Sequence, residues 1–479
     1  MNLALSAFLA AGLVSLLAGW FVLRRVGWIV SHLRFTFSTP FARRTLWVVG
    51  ALVVALGSGA VVAHLGLGRL CSDWPLCTSD RLLPTSLLQW VNMGHRLIVL
   101  LIGIGWLLYW GHAFTLYPEK MPIVLPATLV TVLYLAQALL GQKLVESFAP
   151  FWAVFHQLTF LGLWIAATVL VVGVGRSGLS LEDEVLRSKT NRWRWSILVD
   201  FLRLTKPVVV ALLLVTTYAG MVVGGQQLPA LDLTFWTLFG GFLAAGGASA
   251  INQYLDREED RKMQRTQKRP IPSGRLTPAQ GLAFGAGLSL LSFYLLLVKV
   301  NLIAALLSLA GWIYYVLIYS LWLKKATPQN IVIGGGAGAI PPLVGWAAAT
   351  GDLQLPALLL FAVIFLWTPP HFWALALVRK KDYARAGVPM LPVVRGERET
   401  RRQIFLYTLE LVGLTLLLPL FGLGGGFTLA GAALLGLWLL SSAWKVWRQE
   451  GNKVAWRMYR YSSMYLAFLF AILVLDALL

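Results

Sequence analysis

The chain has 479 residues, of which 58% are hydrophobic and 13% charged, and its formal net charge is +20. Apolar residues come in blocks of about twenty separated by short polar stretches, which is the pattern of a polytopic helical membrane protein and excludes an ordinary soluble domain. Because the apolar runs are continuous and do not alternate with polar residues, they also exclude a β-barrel, and the predicted fold class is all-α.

The apolar blocks predict about fourteen transmembrane helices. Five precede residue 176, near 3–23, 45–66, 94–114, 122–142 and 150–175. Nine follow residue 206, near 207–225, 233–254, 279–297, 300–322, 329–349, 355–377, 404–421, 427–447 and 459–479. The hydrophilic stretch 176–206 is interpreted as a cytoplasmic linker between two membrane domains, 1–175 and 207–479.

The basic residues cluster at one end of successive spans, in the loops 24–44, 176–206, 255–278 and 378–402. This positive-inside bias places these loops in the cytoplasm of a bacterial or archaeal cell and argues against a nucleic-acid partner. The charges Arg24 and Arg25 follow the first apolar run instead of preceding it. The first span is therefore expected to be a retained anchor with its N-terminus outside.

Both cysteines of the chain, Cys71 and Cys77, lie in the loop between the second and third spans, which this topology places outside. In an oxidising compartment they are expected to form a disulfide. His95 begins the third span and His156 lies in the fifth at similar depth, so the pair predicts a bis-His heme site. The alternative is two core histidines that are hydrogen-bonded to neighbouring helices, and His64 is assigned no role.

Residues 45–175, with the Cys-Ser-Asp-Trp-Pro-Leu-Cys loop, the His95-Arg96 pair and the later His156, resemble half of a heme A synthase. The full form of that family has two four-helix halves with four histidines, and its outer-loop glutamate corresponds to Asn92 here. The resemblance implies a four-helix bundle that binds heme and either oxidises it or passes it on. Oxidation would require a homo-oligomer or a heme A synthase partner.

In the second domain, Asn252, Asp256 and Asp260 are spaced i, i+4, i+8 at the end of a span, so a helix would carry them on one face. Three hard oxygen ligands with room for water and phosphate suit Mg²⁺ bridging to a diphosphate. Basic side chains that could hold phosphate oxygens follow in the same loop: Arg265, Lys268 and Arg269. The alternative is a solvated loop of mixed charge.

The segment 252–277 resembles the first aspartate motif of UbiA-superfamily prenyltransferases. Its Met-x-Arg-Thr-x-x-Arg-Pro continuation, and the stretches that begin at Thr327 and His371, are similar to the protoheme IX farnesyltransferase branch. The resemblance implies a nine-helix bundle that uses Mg²⁺ and moves a prenyl group from a prenyl diphosphate to a vinyl group of protoheme. The alternatives are transfer to a quinone or chlorophyll precursor, or a transporter or membrane scaffold without this chemistry.

The second loop departs from the wider superfamily, which has several aspartates there. Here Arg379, Lys380 and Lys381 surround the single Asp382. These cations could hold diphosphate oxygens or heme propionates, or could be ordinary positive-inside residues. His371 is either a heme contact or a buried, hydrogen-bonded histidine.

Overall fold

The computed structural model describes residues 35–71, 73–77, 83–147, 149–190 and 195–479. Within these ranges the chain is helical without β-strands, and thirteen helices are long and apolar enough to cross a membrane. The predicted all-α membrane fold is confirmed. The predicted first span near 3–23 lies outside the described residues.

The chain divides into two compact units, 1–193 and 194–479. In the N-terminal unit four long helices pack as a bundle in which each contacts the next and the fourth contacts the first. They are α1 (Pro40–His64), α2 (Leu87–Leu116), α3 (Met121–Ser147) and α4 (Pro150–Arg176), followed by the short α5 (Leu181–Thr190).

The start of α1 is fixed by two caps. The Thr39 hydroxyl accepts a hydrogen bond from the Ala42 N–H at 3.1 Å, and both carboxylate oxygens of the buried Glu184 on α5 accept from the Phe41 N–H at 3.2 Å. A carboxylate at a helix N-terminus satisfies free N–H groups and complements the helix dipole. The acid of α5 therefore holds the entry to the bundle.

The C-terminal unit contains nine spans arranged as a ring, because the last span packs against the first. The short helices α6 (Trp195–Leu204), α9 (Arg257–Lys262) and α15 (Lys380–Arg385) lie outside the spans, with single turns at Lys324–Ala326 and Leu391–Val394. The spans are α7 (Pro207–Gly225), α8 (Leu231–Leu255), α10 (Pro278–Lys299), α11 (Leu302–Ile313, continued as a π-helix over Tyr314–Leu323), α12 with α13 (Asn330–Ala339 and Pro341–Thr350), α14 (Leu355–Val378), α16 (Gly396–Leu417), α17 (Gly426–Arg448) and α18 (Asn452–Leu478).

Most predicted spans agree with the helices to within a few residues, and the largest difference is at α16. The apolar run predicted a start near 404, but the helix begins at Gly396. Its charged first turns continue the helix beyond the apolar core, and Arg401 pairs with Glu397 at 3.0 Å one turn away. Hydropathy marks the apolar part of a span and not the ends of its helix.

Much of the stretch 176–206 that was interpreted as a linker is helical. Helix α5 packs in the N-terminal unit, and α6 packs on α8 and α10 of the C-terminal unit. On α6 the buried Asp200 accepts a hydrogen bond from Arg275 at 2.9 Å. The C-terminal unit thus includes α6, ahead of the predicted domain start at 207.

Helices α8 and α10 approach closely through two glycines. A Cβ atom on Gly247 would lie 2.7 Å from the Gly285 carbonyl oxygen, and one on Gly285 would lie 2.9 Å from the Gly247 carbonyl oxygen. Small residues allow such contact between membrane helices. This crossing fixes the helix that ends in Asn252 and Asp256.

We expect Gly247→Ala to lower the stability of the protein in detergent by about 1–3 kcal/mol, because the methyl group would overlap the α10 backbone. The matched control is Gly413→Ala on α16, where nothing lies within 4 Å of the added Cβ. It should be neutral or slightly stabilising, since alanine favours helix. Equal melting temperatures for the two variants would contradict the close crossing.

Candidate functional site

The predicted acidic face is formed at the C-terminal end of α8. The Asp256 N–H donates to the Asn252 carbonyl at 2.9 Å and the Asp260 N–H donates to the Asp256 carbonyl at 2.8 Å, so helical spacing continues across the junction of α8 and α9. Asp256 and Asp260 are only 3% and 1% exposed. Burial of two carboxylates is costly unless cations or hydrogen bonds compensate their charge.

Each carboxylate has a cationic partner. The Lys324 ammonium lies 2.5 Å from Asp256 Oδ2, and the Arg269 guanidinium lies 2.6 Å from Asp260 Oδ2. Lys206 donates to Asn252 Oδ1 at 3.0 Å. Of these three cations, only Arg269 was predicted from the sequence.

Lys206 occupies an unusual position at the start of α7. Its backbone is left-handed, with φ 52°, which costs a non-glycine residue about 1–3 kcal/mol and often marks a functional site. Burial, and secondarily the nearby Arg269 charge, lower the pKa of Lys206 to about 7. The left-handed backbone thus places a lysine with a lowered pKa beside the acidic face.

The π-helical segment after α11 brings Ser320, and Lys324 directly after it, to the acidic face. Ser320 accepts a hydrogen bond from Asn252 Nδ2 at 3.1 Å, and the same amide nitrogen donates to Asp256 Oδ2 at 2.8 Å. At the end of the segment, the Lys324 N–H donates to the carbonyl of Tyr319, five residues earlier. π-Helical turns are rare in proteins overall, and those that occur are often found at functional sites. No sequence motif indicated that Ser320 and Lys324 would reach the acidic face.

The three predicted ligands lie together, and each has a cationic neighbour. Asn252 Oδ1 accepts from Lys206 and its amide nitrogen donates to Asp256, so Asn252 also orients the acidic face that Asp256 and Asp260 form. No group of three or more His, Cys, Asp or Glu side chains arranged for a metal occurs in the described ranges. Two buried carboxylates on successive turns suit Mg²⁺, which retains water and substrate oxygens as its other ligands.

The basic residues that were predicted in the loop after α9 lie in different surroundings. Thr266 Oγ1 donates to the Asp260 carbonyl at 2.9 Å and helps to bring Arg269 to the acid. Arg265 is exposed and lines a different cavity, while Lys268 is exposed. The loop is held from outside by Arg275, which donates to the Lys268 carbonyl at 3.1 Å.

That second cavity has a volume of about 190 Å³ and combines both predicted loops. Burial raises the pKa of Tyr383 on its wall. Its lining residues are Met263, Arg265, Leu375, Arg379, Asp382, Tyr383, Trp456 and Tyr459. Lys380 instead pairs with Glu397 at 3.3 Å, and Lys381 is exposed outside the lining. Only part of the predicted basic set of the second loop therefore faces the cavity.

His371 is a buried, hydrogen-bonded histidine. Its Nδ1 lies 2.9 Å from Ser462 Oγ, and its ring stacks against Trp367 with centroids 4.2 Å apart. On the other side Tyr459 lies at 4.5 Å, so His371 is one ring of an aromatic row that reaches the second cavity.

In the N-terminal unit, Cys71 and Cys77 form a disulfide bond with an Sγ–Sγ distance of 1.99 Å. The loop that they close is held by Arg96, which donates to the carbonyls of Cys71 at 3.1 Å, Asp73 at 2.5 Å, Pro75 at 3.1 Å and Leu76 at 2.6 Å. Asn92 is buried and its Oδ1 accepts from Arg96 Nε at 3.1 Å. Asn92 therefore positions the arginine that organises the loop.

The two predicted heme ligands lie inside the four-helix bundle. His95 Nδ1 is 2.8 Å from Ser58 Oγ, and a Cβ on Gly59 would lie 3.1 Å from the His95 ring. His156 Nε2 lies 3.8 Å from the Cβ position of Gly141. Each imidazole thus faces a glycine of a neighbouring helix.

Comparisons with known proteins agree with this architecture. The model of the UbiA prenyltransferase family matches residues 213–469. A solved structure described as digeranylgeranylglyceryl phosphate synthase superposes with a TM-score of 0.52 at 18% identity, over 59% of this chain and 98% of that one. At that identity the likeness concerns the fold alone.

Two curated relatives are named protoheme IX farnesyltransferase. The protein of Roseiflexus castenholzii is 42% identical over 458 residues, which cover 89% of this chain and 82% of its own. The protein of Symbiobacterium thermophilum is 51% identical over 279 residues, which cover 58% of this chain and 93% of its own. Because the C-terminal unit begins only at residue 194, the first match extends far into the N-terminal unit.

Proposed function

The chain belongs to the UbiA prenyltransferase family, and from this premise we propose that it transfers a farnesyl-type group from a prenyl diphosphate to a vinyl group of protoheme, giving a heme O-type product. The observation that carries the proposal is the pair of buried carboxylates, Asp256 and Asp260, surrounded by three cations. Relatives named for this reaction, at 42% and 51% identity, support the same acceptor. The Lys- and Arg-rich loops at this end of the spans support a cytoplasmic location of the site.

Asp256 and Asp260 would hold Mg²⁺, which when bound neutralises charge on the diphosphate. Asn252 keeps Asp256 in place through its 2.8 Å hydrogen bond, and Ser320 keeps the Asn252 amide in place. The protein thus orients the acidic face from two helices before substrate arrives, which avoids reorganisation during the reaction.

The three cations act on the leaving group. As the allylic C–O bond breaks, negative charge develops on the diphosphate, and Lys206, Arg269 and Lys324 lie where they can stabilise it. The vinyl group of protoheme then attacks the allylic carbon. Water adds to the resulting porphyrin-side cation as a hydroxyl and loses a proton, so that diphosphate and the prenylated heme leave.

For the N-terminal unit, we propose that His95 and His156 are the axial ligands of one heme per chain. The observation in favour is that both imidazoles lie within one bundle, each against a glycine. Ser58 orients the His95 ring through Nδ1, which leaves Nε2 for a metal. With a single histidine pair, this unit would bind or hand on heme, and oxidation would need a second copy or another subunit.

We expect Asp256→Asn and Asp260→Asn each to lower prenyl transfer at least about a hundredfold, because each removes a charged oxygen ligand. The assay is mass spectrometry of heme after incubation with protoheme, Mg²⁺ and prenyl diphosphates of different lengths. Asp232→Asn, at the exposed opposite end of α8, is the matched control and should retain activity. A folded Asp256 or Asp260 variant with wild-type turnover would refute the assignment of the acidic face.

We expect kcat/KM for the prenyl diphosphate to fall as the pH rises through about 7. The pKa of Lys206 is lowered to about 7, so its ammonium is charged below this pH and neutral above it. Lys206→Arg keeps its charge and should lose this component of the pH profile. Identical profiles for wild type and Lys206→Arg would exclude Lys206 from diphosphate binding.

We expect the purified protein to have the absorption spectrum of a low-spin bis-His heme. His95→Ala and His156→Ala should each remove this spectrum without stopping prenyl transfer, because both residues belong to the N-terminal unit. His112→Ala, on the same helix as His95, is the control and should keep the spectrum. A low-spin spectrum that survives both substitutions would rule out the two ligands.

A further inference from the structure

We propose that the cavity of Arg265, Arg379, Trp456 and Tyr459 is the acceptor subsite, which binds the carboxylate-bearing edge of a planar tetrapyrrole. The inference rests on the proposed function, since protoheme is its ligand, and it assigns different cations to the two substrates. It departs from the sequence-based expectation that Arg265 contacts the diphosphate together with Arg269.

The basic side chains near the acidic face and those around the second cavity form two separate sets. Lys206, Lys324 and Arg269 contact Asn252, Asp256 and Asp260 respectively, at 2.5–3.0 Å. Among the described residues, Arg265 and Arg379 have no such contact with the acidic face and converge instead on the second cavity. One set of cations therefore lies beside the two carboxylates that would hold Mg²⁺, and the other set lies away from them.

The charged side chains that line the second cavity suit an anionic ligand. Its lining has two arginines and one acid, Asp382, which is 3.9 Å from Arg385. The exposed guanidinium groups of Arg265 and Arg379 are suited to bidentate hydrogen bonds with carboxylates. Protoheme carries two propionates on one edge, so charge and number match.

Aromatic rings form one wall of the second cavity. Trp456 and Tyr459 stack with ring centroids 5.2 Å apart. The Tyr459 ring lies 4.5 Å from the His371 ring, which in turn lies 4.2 Å from the Trp367 ring. This row of four rings leads from the arginines into the span α14. Aromatic rings offer flat surfaces that favour offset stacking with another planar π system.

The size of the cavity limits what it holds. At about 190 Å³ it is smaller than the 300–1,000 Å³ typical of sites that enclose a drug-sized ligand. It therefore accommodates the charged edge, and the macrocycle extends along Trp456 and Tyr459, the two rings of the row that line the cavity. This orientation points the opposite, vinyl-bearing part of the acceptor away from the arginines.

The test combines substitution with substrate modification. Arg265→Gln and Arg379→Gln should each raise the KM for protoheme about tenfold and leave the KM for the prenyl diphosphate unchanged. Protoheme dimethyl ester, whose propionates are uncharged, should be a poorer substrate than protoheme for the wild type. In the Arg265→Gln/Arg379→Gln double variant, replacing protoheme by its dimethyl ester should raise the KM little further, because the arginines that bind the propionates are already gone.

Two further variants separate charge from folding. Arg379→Lys keeps the charge and should recover part of the protoheme affinity, which a merely structural role would not predict. Arg402→Gln removes an exposed arginine of α16, one that pairs with Glu399 at 3.5 Å, and is the control for surface charge. It should have wild-type KM values for both substrates.

The outcomes distinguish the two levels of the proposal. A wild-type protein that does not prenylate protoheme contradicts the proposed function itself. A wild type that prenylates protoheme, with arginine variants that suffer the same penalty for the dimethyl ester, overturns only the acceptor subsite. A raised KM for the prenyl diphosphate in Arg265→Gln and Arg379→Gln would also overturn it, since both arginines would then belong to the diphosphate.

Discussion

The C-terminal unit depends on the compensation of two negative charges at the buried end of a membrane helix. Asp256 and Asp260 are almost inaccessible, and carboxylates in such surroundings persist only with cations or hydrogen bonds beside them. The chain meets this requirement from three separate segments, with Lys206, Arg269 and Lys324. Because the compensating groups are cations, the arrangement that stabilises the acids also provides contacts for an anionic leaving group.

In the N-terminal unit the charged group is a single cation, and neutral groups satisfy its hydrogen bonds. The loop closed by Cys71 and Cys77 turns several carbonyls inward, and one guanidinium, that of Arg96, hydrogen-bonds to four of them. Asn92 holds Arg96 in turn, because its Oδ1 accepts a hydrogen bond from Arg96 Nε. The amide at this position therefore has a structural role in keeping the loop in place.

Sequence reasoning was most successful where one local signal decides the outcome. Long apolar runs located thirteen spans, and the i, i+4, i+8 spacing located Asn252, Asp256 and Asp260 on one face. It missed Lys206 and Lys324 because their positions depend on a left-handed residue and a π-helical segment, neither of which has a sequence signature here. It also grouped Arg265 with Arg269, since separation by four residues in sequence does not reveal that the loop turns Arg269 toward Asp260 and Arg265 toward the second cavity.

The π-helical segment Tyr314–Leu323 also affects how this span is compared with other sequences. A helical wheel drawn at 3.6 residues per turn assumes a constant rotation of about 100° per residue, and a π-helix turns less at each step. Beyond the segment, such a wheel assigns every side chain to the wrong sector, including Lys324. An alignment that removed one residue there would preserve the hydropathy of the span and the number of spans, yet it would rotate the lysine away from Asp256. Gap placement in this span thus decides whether the ion pair is recognised in a relative.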